Sequence, residues 1–168
     1  SDFVSRLTGH TIQSVSRRGK YQLAALSSGE TLLVHLGMSG AFRTERPRSS
    51  SRTSHPSDPH DHVVIVLSSG VVVTFNDPRR FGCLLWQPAG ETHALLQGLG
   101  PEPLSDDFDG DHLHELSRGR RAPVKTFLMD QAVVVGVGNI YAAEALFEAG
   151  IAPARAAGRV SRERFALL

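Results

Sequence analysis

The sequence predicts an α+β fold in which strands come first and helices follow. Between residues 11 and 86, short apolar runs are bounded by turn residues; beyond Pro88 the apolar residues recur at helical spacing between capping residues. Two SSG triplets, 27–29 and 68–70, each join a pair of apolar runs, as glycine-bearing hairpin loops do.

Residues 1–9 read as the end of a helix, with Phe3, Val4 and Leu7 apolar and Gly9 as its stop. TIQSVSRR (11–18), YQLAAL (21–26), TLLVHL (31–36), VVIVL (63–67), VVVTF (71–75) and CLLW (83–86) read as strands. The Ser/Arg/Pro-rich stretch 43–61 has no apolar periodicity and is expected to be a long mobile surface loop. Leu95, Leu96 and Leu99 form a helical stripe before a GPEPL linker. Asp109 is placed to cap a helix running to about Ser117 and ended by Gly119. Pro123 sits at a first-turn position opening VKTFLMD. Asn139 is placed to cap IYAAEALFEA, which Gly150 and Pro153 close, and Ser161 to start a last helix two turns before Leu168. Both ends read as cut in mid-element.

Apolar residues make up 40% of the 168 and charged residues 21%, enough for a sizeable core and unlike a disordered tail. No run approaches the roughly 18 apolar residues that span a bilayer, and no signal peptide opens the chain, so a cytoplasmic protein is expected. A single cysteine, Cys83, excludes an internal disulfide or a multi-cysteine zinc site within these residues; its apolar strand predicts a buried, inert thiol. Net charge is +1, but residues 1–60 carry eight Lys/Arg against four Asp/Glu. That basic first third suits a polyanionic partner. Sixteen of the eighteen cations are arginine, and the two lysines, Lys20 and Lys125, fall inside motifs.

The densest motif is QAVVVGVGNIYAAEALFEAGI, residues 131–151. A dinucleotide fingerprint would require a small residue where Tyr141 stands, a longer strand and an acid closing the next strand, none of which is present. The alternative is two helices, 123–130 and 139–149, joined by a tight connection around Gly136 and Gly138. Backbone amides at the start of the second helix would then face an anion, with the positive end of the helix dipole behind them and the Asn139 side chain beside them. By residue type alone the same segment also reads as an ordinary glycine-rich corner with an Asn cap. Likewise Met38 and Phe81 read as core residues, Arg79 and Arg80 as a solvated loop, and Lys20 as an exposed hairpin lysine. His60 and His62, with Asp61 between and His55 upstream, invite a metal reading, against which a loop supplies no fixed fourth ligand.

These motifs occur together: RRGKY at 17–21, HLGMSG at 35–40, PHDH at 59–62, NDPRRFG at 76–82, LGPEPLS at 99–105, and the glycine-rich segment. In this order and spacing the chain resembles the formamidopyrimidine-DNA glycosylase family, bacterial repair enzymes that remove oxidised purines, with the endonuclease VIII glycosylases as close relatives. The resemblance implies a partial antiparallel β-sandwich over residues 1–99 and a helix–two-turn–helix DNA-binding domain over 100–168. It makes Met38, Arg79 and Phe81 the residues that fill the hole left when a damaged nucleotide turns out of the stack. It makes Lys20, His60, Arg80, Lys125, Gly138 and Asn139 phosphate-side contacts, and His62 a structural residue at a strand start.

Full-length members of that family begin with a nucleophilic proline and a glutamate, and end in a zinc finger. Neither has a counterpart here, so the resemblance implies no catalytic residue, with Lys20 alone near the reaction site, and no cofactor. Three expectations follow. The chain binds damaged or abasic duplex DNA without excising a base; it retains weak lyase activity through a substitute amine; or it is a non-catalytic paralogue whose exposed sandwich face recruits a second copy or a protein partner.

Overall fold

The computed structural model describes residues 2–46 and 58–168; His55 and most of the 43–61 stretch lie outside them. The chain divides into two compact units, residues 1–16 with 21–91, and residues 17–20 with 92–168.

The first unit opens with α1 (Phe3–Leu7), followed by β1 (Ile12–Arg18), β2 (Tyr21–Leu26), β3 (Thr31–His35), β4 (Ala41–Glu45), β5 (Asp61–Val66), β6 (Val72–Asn76) and β7 (Cys83–Gln87). The strands form two antiparallel sheets, ordered β1-β2-β3-β7 and β4-β6-β5. The most apolar run becomes the central strand: Leu32, Leu33 and Val34 of β3 are buried, flanked by β2 and β7. Both SSG triplets make three-residue hairpin loops with the glycine at positive φ. Leu26 N bonds Glu30 O across one, and Leu67 N bonds Val71 O across the other. Phe3 of α1 packs on Trp86 of β7, with ring centroids 5.4 Å apart. Exposed apolar surface gathers on the edge strands, where Val64 and Val66 of β5 are 58% and 70% exposed.

The loop expected over 43–61 is corrected at both ends, because β4 covers 41–45 and β5 begins at Asp61. AFRTE has too few apolar residues to signal a strand. Pairing with β6 supplies what its composition lacks: Phe42 lies opposite Phe75, with ring centroids 5.4 Å apart. Cys83 is half-buried rather than buried.

The second unit holds α2 (Gly110–Ser117), α3 (Val124–Leu128), α4 (Asn139–Glu148) and α5 (Arg162–Phe165). Asp109 caps α2 by accepting the His112 amide at 2.8 Å. The core gathers Leu113, Val124, Phe127, Leu128, Ala142, Leu146 and Phe165 around the buried Val133 and Val134. That valine run forms turns rather than a strand: Val133 and Val134 donate to the Asp130 carbonyl. A dinucleotide fold therefore has no strand to start from. Three boundaries differ from expectation. The Leu95–Leu96 stripe makes only a 3₁₀ turn, α3 ends at Leu128, and the residue capping α4 is Gly138, so Asn139 is the first helical residue. Among the described residues no helix is long and apolar enough to cross a membrane.

Candidate nucleic-acid interface

In the first unit the site consists of two loops. Leu36–Gly40 joins β3 to β4, and Asp77–Gly82 joins β6 to β7. They touch backbone to backbone: a Cβ on Gly37 (φ +64°) would stand 2.5 Å from the Phe81 carbonyl carbon and 2.6 Å from the Gly82 nitrogen. Only glycine fits there. Met38 is 71% exposed and Phe81 58%, which overturns the core reading that residue type suggests. The Arg79 guanidinium lies over the Phe81 ring, 4.8 Å from its centroid. Arg80 (φ +56°) is the one non-glycine residue at positive φ among those described. The structure thus brings Met38, Arg79 and Phe81 together, with Arg80 adjoining.

Beneath them lies a residue that sequence reasoning assigned no role. Asp77 is fully buried. Its Oδ1 accepts the Ser39 hydroxyl at 2.5 Å and the Arg79 amide at 3.3 Å, and its Oδ2 accepts the Gly82 amide at 2.7 Å. The Ser39 bond first, then the Gly82 amide, hold its carboxyl below the usual range, outweighing the opposing effect of burial. Its backbone binds the start of β5 as well: Asp77 N donates to His60 O, and His62 Nε2 lies 2.9 Å from Asp77 O. A carbonyl can only accept, so His62 carries its proton on Nε2. The His60 ring is exposed beside this strand start. Asp61 is engaged by Arg43 and Asn76, which takes the intervening acid out of any metal set. Among the described residues no group of three or more His, Cys, Asp or Glu side chains gathers that could hold zinc or another metal.

In the second unit the site is the start of α4. The Lys20 ammonium donates to the Val137 carbonyl at 3.3 Å, and a Cβ on Gly138 would stand 3.0 Å from it. Asn139 is exposed at the first helical position, beside amides that have no partner within the helix. Lys20, Gly138 and Asn139 are therefore brought together; Lys125 lies half-buried in the first turn of α3.

Two more side chains that the sequence did not reveal hold this arrangement. Gln131 accepts the Gly136 amide at 2.9 Å and donates to the Met129 and Val137 carbonyls, stitching the turn between α3 and α4. Glu102 accepts the Gly19 amide at 2.7 Å and both Arg17 and Arg18, which fixes the tip that carries Lys20. Burial acts to raise the Glu102 pKa, but the Gly19 amide and the two arginines outweigh it and leave it lowered.

Known protein families match both units. The model of the formamidopyrimidine-DNA glycosylase N-terminal domain matches residues 1–84, and that of the formamidopyrimidine-DNA glycosylase H2TH domain matches residues 99–168. The class so defined is a β-sheet domain followed by a helix–two-turn–helix domain. A formamidopyrimidine-DNA glycosylase of Stenotrophomonas maltophilia is 62% identical over 159 residues, covering 95% of this chain and 56% of that protein. One from Xylella fastidiosa is 56% identical over 165 residues, covering 98% and 59%. Among solved structures, the Lactococcus lactis protein in complex with DNA containing an abasic site superposes with a TM-score of 0.88 at 30% identity, covering 99% of this chain and 59% of that one. The Thermus thermophilus protein gives 0.82 at 40% identity, covering 95% and 56%. The chain belongs to the formamidopyrimidine-DNA glycosylase family. It spans a little over half the length of the curated relatives it matches.

Proposed function

We propose that the chain binds duplex DNA at a point where a base is missing or turned out, and that it holds and fills that point without excising a base. The observation that carries this reading is the exposure of Met38 and Phe81 on loops fixed by a buried carboxylate. Large apolar side chains held in water on a rigid support await an apolar hole, and the space left by an extruded nucleotide is one. Arg79, stacked on Phe81, supplies donors for the unpaired base opposite. The start of α4, with Asn139 and Lys20, suits a backbone phosphate. The Lactococcus lactis relative crystallised with abasic DNA supports the same partner.

The residues assembled in each unit are hydrogen-bond donors and apolar side chains. Lys20 is the nearest approach to an amine nucleophile, but its ammonium is bonded to a carbonyl at a helix N-terminus, a setting suited to an anion. Binding is measured by titrating the chain, at fixed salt, with a duplex carrying one abasic site and with the intact duplex. Tighter binding to the abasic duplex is expected. Arg79→Ala should erase most of that preference, and Asn139→Ala should weaken both duplexes about equally, each change being on the order of 1–3 kcal/mol. Equal binding of the two duplexes by the wild-type chain would refute the reading. Borohydride trapping on the abasic duplex is expected to give no cross-link; one that disappears in Lys20→Ala would establish lyase chemistry instead.

A further inference from the structure

We propose that Asp77 is a positioning residue that locks the Met38 loop and the Arg79–Phe81 loop into one wedge. It thereby sets how well the chain tells a base-lacking site from intact duplex, and adds nothing to phosphate affinity. The inference rests on the functional reading above and assigns its selectivity to a residue that contacts no DNA.

The three side-chain bonds to Asp77 come from Ser39, which follows Met38; from the amide of Arg79 itself; and from Gly82, which follows Phe81. Each wedge residue is thus within one position of a bond to the same carboxylate. The loops are 38 residues apart in sequence, counted from Ser39 to Asp77. The backbone of Asp77 adds bonds to Arg80, His60 and His62, so the β5 start is fixed to the same point. With donors on both oxygens and no exposed surface, the carboxylate is unavailable for chemistry on a substrate. Its remaining effect is geometric. Arg80 holds a positive φ, a conformation that persists where the surroundings over-determine it, and the Asp77 bonds on either side supply that constraint. Without them the loops would order only on binding, and the cost of that ordering would fall on the gap-filled complex alone.

The test uses Asp77→Asn and Ser39→Ala in the full 168-residue chain, with folding checked by thermal melting. Asparagine keeps the shape but must turn an NH2 toward a donor, whereas Ser39→Ala removes one bond and leaves the buried acid. Affinities for abasic and intact duplexes are measured with 2-aminopurine opposite the abasic site, whose emission reports filling of the gap. The abasic-to-intact ratio should fall about tenfold in Asp77→Asn and by a smaller factor in Ser39→Ala, with loss of the 2-aminopurine response. Intact-duplex affinity and its salt dependence should stay within roughly twofold of wild type, since Lys20 and the start of α4 are untouched and the bonds of Asp77 to Arg80 and His60 use its backbone, not its carboxylate. If Asp77→Asn does not fold, Ser39→Ala decides alone. A folded variant with an unchanged ratio, or with both affinities falling in parallel, overturns the role of Asp77 and leaves the functional reading intact. A wild-type chain without preference overturns both.

Discussion

The proposed wedge of the β unit and the proposed anion site of the helical unit solve opposite problems. The wedge keeps apolar side chains in water and must stop them from collapsing, so it rests on a buried, fully bonded acid. The anion site presents backbone amides, a lysine and an asparagine, all content in water, and rests on glycine geometry and a glutamine stitch. The first offers shape and apolar contact, which salt barely alters; the second offers charge, which salt screens. Selectivity should therefore follow the wedge and affinity the anion site, and each can be broken without the other.

Gly37→Ala should have the largest effect. Its Cβ would meet the Phe81 backbone at 2.5 Å at a positive φ, so one loop must move off the other. The preference for abasic DNA should vanish while binding to intact duplex persists. Gly119→Ala is the control, because it shares a positive φ but meets nothing within 4 Å, leaving only a left-handed penalty of about 1–2 kcal/mol. Retained preference in Gly37→Ala, measured by competition between the two duplexes, would break the assignment of selectivity to the loops. Phe81→Ala comes next. Loss of a stacking ring costs about 1–3 kcal/mol, so the abasic-to-intact ratio should drop roughly ten- to a hundredfold with no change in salt slope. Lys20→Ala should be smaller and of the opposite kind. Both duplexes should weaken severalfold, and the slope of log K against log salt should become shallower by about 0.9, the loss of one phosphate contact.

This division also explains what could be read from the sequence. Apolar runs, turn glycines and caps mark local structure, and six of the strands and the capped α2 followed from them. β4 did not, since its place depends on the cross-strand partner Phe75 rather than on its own residues. The exposed wedge shows the same limit from the other side. Nothing local separates an exposed Met38 or Phe81 from a core one; the motif order did so by resemblance. Asp77, Gln131 and Glu102 were missed because each acts through hydrogen bonds to backbone groups or to side chains of other segments. Asp77 reaches a loop 38 residues away and Glu102 an amide 83 away, and such bonds leave no periodicity. Asn139 was displaced by one position because Gly138 is the cap, a shift that leaves the same amides facing outward.

Acid offers a subtler way to sharpen the contrast. Asp77, held low by the Ser39 hydroxyl and the Gly82 amide, has a folded-state pKa below that of the unfolded chain, as does Glu102. A depressed carboxyl contributes its stability above the unfolded value, about 3.9 for Asp and 4.3 for Glu, and loses it as pH falls through the folded value. The wedge should therefore keep its shape from neutral pH down to about 5 and loosen only in acid below roughly 4. The groups bonded to the Asp77 carboxylate are the Ser39 hydroxyl and the Arg79 and Gly82 amides, none of which titrates near neutrality. The 2-aminopurine response at fixed salt should accordingly be flat between pH 8 and 5. A loss of the response centred well above pH 5 would instead take the stability of the wedge out of the hands of Asp77.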